Sequence, residues 1–564
     1  MALLNAPSTL GINQSVGLKA AVTDDSGNGG VDWTCSPAGA CGSFNPSHTA
    51  NGATTTYTAP GAAGTVGIVA AASDQGGSSA GAMISVVSDG MNSELSGNYV
   101  FFVEGTDASG TYVAAGTIVL DGNGNITNGE QDYVDQGGVQ VGPDPATGIY
   151  SIGPGNRGSI TLIVNDARLP SGGIETFSIA ATSASHALII EFDGSATSSG
   201  TLDLQSADAT NASTVGGSYS FALNGYDMDN SVPAAFGGVT NMSAAAGIVS
   251  SGAFYANDGG TTQMSPQFNG PVTGPDTFGR GTIRTSVGLN FVYYAVQGEV
   301  LRIVETDLPD FISGGSFYGQ GSTGANSAFS DASLSGTAAF FESGSSVNGP
   351  LSIAGQFTAD GSGNLTAGIA DTNSGGSYAS GSIAGQGVYS ITGTGAGTLT
   401  FPGTPSTTEQ VSSLLIFATD PDLNLLDPNN AAGGGGALIL DYDNNAIGTG
   451  MIVSQSSGTF QGNYAIALQF YNSAGQEDFA GQLAANGSGS VSGSVDLNDK
   501  FVPMGDVSLS GTFTPDSMNA GRYTGGLTVG GETFQITYYQ ASDGALLMVD
   551  TDSSDVGSGA IESQ

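Results

Sequence analysis

Leu188-Ile189-Ile190-Glu191-Phe192-Asp193, Leu301-Arg302-Ile303-Val304-Glu305-Thr306-Asp307, Leu438-Ile439-Leu440-Asp441-Tyr442-Asp443 and Leu547-Met548-Val549-Asp550-Thr551-Asp552 are four versions of one stretch. Each is an apolar run of strand length that ends in acid-x-acid. Each is followed by a short polar segment and a last strand closing on glutamine: Gln205, Gln320, Gln455 and Gln564. Matching openings stand upstream: Leu95-Ser96-Gly97-Asn98-Tyr99, Val215-Gly216-Gly217-Ser218-Tyr219, Leu334-Ser335-Gly336-Thr337-Ala338 and Phe460-Gln461-Gly462-Asn463-Tyr464. The glycines Gly97, Gly217, Gly336 and Gly462 are 120, 119 and 126 residues apart. Ala115-Gly116, Ala246-Gly247, Ala354-Gly355 and Ala480-Gly481 form a third collinear element, and Arg157-Gly158, Arg280-Gly281, Ala396-Gly397 and Gly521-Arg522 a fourth. Collinear signals at a fixed period mean tandem repeats.

Within the first unit, alternating runs separated by Gly, Asn, Asp and Pro give eight strands, from Tyr99–Val103 to Gly200–Leu204. No segment sustains a 3.6-residue apolar period, so helices are not expected. The fold class is all-β: an N-terminal sandwich (1–90), then four antiparallel domains of about eight strands each (95–206, 215–321, 334–456, 460–564). These are small up-and-down barrels or two-sheet sandwiches. The barrel is favoured because closure removes the edges that a Gly-rich sheet would expose.

Residues 1–90 fall outside the repeat. Val31-Asp32-Trp33-Thr34, Gly42-Ser43-Phe44-Asn45-Pro46, Gly52-Ala53-Thr54-Thr55-Thr56-Tyr57-Thr58-Ala59-Pro60 and Ala82-Met83-Ile84-Ser85-Val86 resemble bacterial immunoglobulin-like (Big-type) domains. That resemblance implies a β-sandwich acting as a cell-surface spacer or binding module. The four units resemble a repeat of secreted acidobacterial proteins, a likeness that implies no activity. Cys35 and Cys41 read as a local disulfide, with two free thiols or a metal site as the alternatives. A disulfide implies an oxidising compartment.

The chain carries 49 Asp+Glu against 8 Lys+Arg, a formal net charge of −41. The imbalance is a shortage of bases, since charged residues are only 10% of the chain. So few bases cannot neutralise phosphates or coat an anionic membrane, which excludes nucleic-acid partners and polybasic adsorption. No apolar run approaches the ~20 residues of a membrane helix, so no membrane insertion is expected, and Met1-Ala2-Leu3-Leu4 is too short for a signal-peptide core.

Two constellations invite chemistry. Asp121, Asn123, Asn125 and Asp132, repeated as Asp360, Ser362, Asn364 and Asp371, have the spacing of a calcium loop. Against calcium, the sixth position is Ile126 or Leu365 where such a loop needs glycine, and the flanks read as strands. A hairpin turn is therefore the leading reading, with calcium the one cofactor considered. The acid-x-acid pairs could ligate a metal or form a glycosidase pair, but recurrence points to scaffold. The recurring Arg157, Arg280 and Arg522 are expected to pair with carboxylates of their own units, Glu191, Glu305 and Asp550, and unit 3, with Ala396, to lack the pair. His186 reads as an exposed strand residue. No catalytic residues are assigned, and an enzyme is not expected.

These readings converge on a non-enzymatic extracellular or cell-surface structural protein that self-assembles into a filament or surface layer. Its partner would be another copy, with Met1–Leu10 or the strand ending at Gln564 completing a neighbour's sheet. The alternative is an adhesin or polysaccharide-binding protein. A carboxylate-dependent enzyme acting on polysaccharide ranks third.

Overall fold

The computed structural model describes residues 1–564 except 5, 8, 24–26, 75–77, 88–91, 154, 384–386, 402–412 and 457. The junction expected near residue 90 lies outside the described residues. The fold is 64% strand and 3% helix.

The N-terminal domain is a two-sheet sandwich. One sheet orders Ala2–Leu4, Ser15–Ala21, Thr55–Thr58 and Ser43–Asn45; the other orders Thr9–Gly11, Ser79–Val87, Gly64–Ala72, Val31–Ser36 and His48–Thr49. Alternate residues of these strands, Leu18, Trp33, Tyr57, Ile68 and Ile84 among them, fill the space between the sheets. Cys35 and Cys41 form a disulfide.

Unit 1 is a closed up-and-down barrel. Its eight strands run from Ser96–Asp107 to Ala196–Leu204, each pairs with the next, and the last pairs with the first from Tyr99↔Leu204 to Asp107↔Ala196. Unit 4 closes the same way, between Gln461–Tyr471 and Val556–Ser563. Units 2 and 3 follow the same strand order but gape on one side. There the gap is spanned by single bridges, Val272↔Ile283 and Asn364↔Val388. Closing a barrel this small forces the last strand hard against the first. A Cβ at Gly200 would lie 1.8 Å from the Phe102 carbonyl oxygen, and one at Gly450 1.9 Å from that of Phe341. Only glycine fits such a crossing, and Gly315 and Gly559 take the equivalent place in units 2 and 4.

Each barrel buries its inward-facing residues in its own core. The outward faces are also apolar, and one shared cluster joins all four units through residues such as Phe102, Val304, Phe417, Leu440 and Leu547. The joints run head to tail. The first strands of units 1, 2 and 3 pack on the last three strands of the next unit, and those of unit 4 pack on the last three of unit 1. A heterologous contact that closes makes a ring, and here the ring closes within one chain. The sandwich docks on barrel 1, where Gln14 Nε2 donates to the carbonyls of Gly124 (3.3 Å) and Tyr150 (2.8 Å).

Candidate functional site

The recurring arginines rivet the ring. Arg280 of unit 2 makes a two-point contact with Asp132 of unit 1, Nε to Oδ2 at 2.6 Å and Nη2 to Oδ1 at 2.9 Å. Arg522 of unit 4 grips Asp371 of unit 3 through two 2.9 Å bonds. Arg157 of unit 1 reaches Asp496 (2.5 Å) and Asp506 (2.9 Å) of unit 4. The expectation of pairing within a unit is thus corrected: the main partner of each arginine belongs to the preceding unit around the ring, and only Arg522 adds a carboxylate of its own unit, Asp516, at 3.0 Å. The reason is geometric, since these arginines stand on outward faces that the neighbour covers. Burial opposes the charge on Arg280 and Arg522, yet the hydrogen-bonded Asp132 and Asp371 raise both above the ordinary arginine value.

The fourth joint confirms this logic by exception. Unit 3 carries Ala396 in place of the arginine, and unit 2 carries Tyr255 where the others have Asp132, Asp371 and Asp496. Tyr255 and Ala396 both pack against the shared apolar cluster, with the Tyr255 ring 5.7 Å from that of Phe417. Arginine and aspartate are lost as a pair across the joint between units 2 and 3, and not within either unit. That coincidence was the sequence signal for contacts between units.

Two further sets of clamps lie on the same joints. Asn257, Asn373 and Asn498 each donate Nδ2 to three carbonyls of the next unit's acid-x-acid turn. The acceptors are Asp441, Asp443 and Ala446; Asp550, Asp552 and Asp555; and Glu191, Asp193 and Ala196. The closing glutamines do the same from the other side. Gln205 donates to the Phe278 and Ala295 carbonyls, Gln320 to those of Thr394 and Ala418, and Gln564 to that of Ala181 in unit 1.

Sequence reasoning missed one network. His186 is buried, not exposed, with Nδ1 2.7 Å from Asp203 and Nε2 3.1 Å from Glu562 of unit 4. Asp203 also receives Arg302 of unit 2 at 2.6 Å. Burial works against the imidazolium, but Glu562 and Asp203 hold its pKa well above the usual histidine value. Three units meet on these four buried side chains.

The acid-x-acid residues have other roles than arginine partners. Glu191, Glu305, Asp441 and Asp550 point inward, nearly or wholly buried. Burial pushes Glu305 and Asp550 up to about 8, and raises Glu191 and Asp441 well above the carboxylate range. They stand as buried acids in the barrel ends. The second acids shape turns: Asp552 accepts the Ser554 and Asp555 amides, and Asp307 those of Asn290.

The two calcium-spaced loops are hairpin turns between antiparallel strands, in line with the leading reading. Asp121 Oδ1 accepts the Asn123 and Asn125 amides and Oδ2 the Asn125 side chain, and Asp360 does the same for Ser362 and Asn364. These oxygens tie hairpin turns. The would-be last ligands, Asp132 and Asp371, are committed to arginine and to Tyr294 or Tyr539.

Where all four barrels meet, a cavity of about 330 Å³ opens. One position of each first strand faces it: Glu104, Asn224, Ser343 and Gln469, which occupy matching places in the four closing ladders. Two residues on stand Thr106, Tyr226, Ser345 and Tyr471. The lining thus offers hydroxyls, amides, two phenol rings and no base. Desolvation pushes the Glu104 carboxyl up to about 7.

No family model and no curated protein sequence matches the chain. Among solved structures it is similar to kievitone hydratase from Nectria haematococca, at 9% identity and a TM-score of 0.17, over 41% of this chain and 88% of that one. It is also similar to intact Ap-TbpB with its N and C lobes, at 10% identity and a TM-score of 0.16, over 83% of this chain and 95% of that one. Likenesses of this size carry no argument about activity.

Proposed function

We propose that the chain is a non-enzymatic extracellular or cell-surface binding protein that takes a neutral polysaccharide segment in the cavity where its four barrels meet. The observation that carries the reading is the lining: four equivalent polar positions and two tyrosines converge on one mouth with no cation. Amide and hydroxyl groups suit sugar hydroxyls, tyrosine faces suit pyranose faces, and the absence of bases disfavours anionic ligands. The disulfide supports an oxidising compartment. Among the described residues no helix is long and apolar enough to cross a membrane. The sandwich serves as the spacer.

Neutral glycans arrayed on a surface test this. Binding should appear with the full chain and fall at least tenfold in Tyr226→Ala and Tyr471→Ala. Binding unchanged in both variants, or confined to acidic glycans, would refute the assignment.

Self-assembly into a filament is the second reading, in altered form. The segments first offered for strand exchange are engaged: Ala2–Leu4 and Thr9–Gly11 pair inside the sandwich, and Val556–Ser563 closes barrel 4. What favours assembly is the gap in unit 3, where Ser377–Ser382 pairs on one side only among the described residues and exposes Tyr378. Light scattering at pH 4 and pH 7 separates the two readings, since a monomer at both removes the filament.

A further inference from the structure

The acid-x-acid turn of unit 4 carries a third acid that its counterparts in units 1 and 3 lack. Position five after the first acid is Ala196 in unit 1 and Ala446 in unit 3, but Asp555 in unit 4. Carboxylate oxygens of Asp550, Asp552 and Asp555 lie within 4.8 Å of one another. Asp550 is fully buried, and its Oδ2 has no hydrogen-bond partner. Two more carboxylates, Glu477 and Glu532, act electrostatically on the same cluster, and Asp499 acts on both of them. Among the described residues no arginine, lysine or histidine forms an ion pair with any of the six; the arginines of unit 4's joints are spent on Asp371, Asp496, Asp506 and Asp516. An orphaned buried oxygen among uncompensated acids is costly unless something positive meets it.

We propose that Asp550, Asp552 and Asp555 bind a hard divalent cation, calcium by chemistry, between the carboxylates of this turn. Oxygen-only ligands select calcium or magnesium over softer metals, and three carboxylates with room for water suit the flexible calcium shell. Asn373 of unit 3 holds the backbone carbonyls of the same three residues at 3.1, 3.0 and 2.8 Å. That clamp turns the carbonyls toward unit 3; Asp550 Oδ1 accepts the Asp552 amide, Asp552 Oδ1 the Ser554 and Asp555 amides and Asp555 Oδ2 the Ser554 hydroxyl, so the turn is held in place with Asp550 Oδ2 as its open oxygen. It also ties the site to a ring joint, so the bound ion stiffens the contact between units 3 and 4. Asp552, half-exposed beside exposed Ser553 and Ser554, provides the entry. Unit 2 has the same spacing in Glu305, Asp307 and Asp310, but there Glu305 receives Ser313 Oγ at 2.5 Å and Asp307 is drawn to Asn290.

Calcium chloride titrated calorimetrically into the full, chelator-treated chain tests the site. One ion per chain is expected, with Kd on the order of 10⁻⁴–10⁻³ M, the range of extracellular sites. Asp555→Ala copies the residue that units 1 and 3 carry and should abolish uptake; the isosteric Asp552→Asn should weaken it at least tenfold. Asp121→Ala, in the hairpin turn of unit 1, should leave it unchanged. Calcium should also raise the melting temperature of the unaltered chain and not that of Asp555→Ala. No uptake by the unaltered chain at about 10 mM, or equal uptake by Asp555→Ala and Asp552→Asn, overturns the proposal.

Discussion

Arg280→Ala removes one partner of the joint between units 1 and 2 and leaves Asp132 with Tyr294 as its remaining donor, at 2.6 Å. The Asp132 side chain is 4% exposed and that of Arg280 16%, so water cannot easily replace the guanidinium. Two charge-assisted bonds are lost and a buried carboxylate is stranded, which for partnered buried charges costs about 3–5 kcal/mol. The partial exposure of Arg280 places the expected loss at the lower end, about 3 kcal/mol. Replacing both partners is a different perturbation. Asp132→Tyr with Arg280→Ala rebuilds the pairing that Tyr255 and Ala396 already make between units 2 and 3, and apolar replacement of a buried pair is close to neutral. The double variant should therefore recover about 2 kcal/mol or more of the loss, a coupling well above the ~0.5 kcal/mol of independent sites. Urea unfolding of the four proteins of the cycle, followed by tyrosine fluorescence and circular dichroism together, measures it. A double variant no more stable than Arg280→Ala alone would falsify the view that the two joints are alternative solutions of one interface.

Other outcomes follow from the same contacts. Burial lifts the Glu305 carboxyl from its ordinary value near 4.5 to about 8 in the folded chain. The folded chain therefore holds more protons than the unfolded one, and stability is full below about pH 4 and is lost as pH rises to about 8. Melting temperature should fall steadily over that window, and Glu305→Gln should flatten the fall and exceed the unaltered chain by ~1 kcal/mol or more at pH 8. Asn498→Ala strips three buried carbonyls of their donor and should cost about 2–3 kcal/mol by denaturant titration, whereas Asn125→Ala in an exposed turn should cost under about 1 kcal/mol. Thiol titration of the unreduced, unfolded chain should find no reactive group at Cys35 or Cys41.

Much of this architecture is written locally. Alternation of apolar and polar residues, Asp-Gly-Asn-Gly turns and acid-x-acid strand ends act within a few residues, so they mark the strands of barrel 1 almost one for one. The disulfide was legible for the same reason, because six residues separate its cysteines. The partners of Arg157, Arg280 and Arg522 were not legible. In a tandem repeat every unit carries the same donors and acceptors at the same places, so a contact within a unit and one to the neighbour have the same sequence signature. The paired exception at Tyr255 and Ala396 could have broken that tie. The cavity behind Glu104 and the burial of His186 had no local signal, since each needs faces from different units.

The sequence by itself determined four β units of about eight strands and the scarcity of bases, because short-range periodicity and turn chemistry mark the strands. Tertiary structure alone decided that the units close into a ring, that most arginines are spent at its joints, and that one turn gathers three carboxylates. Docking of outward faces is governed by shape and apolar area summed over whole barrels, and no short stretch of sequence carries that sum.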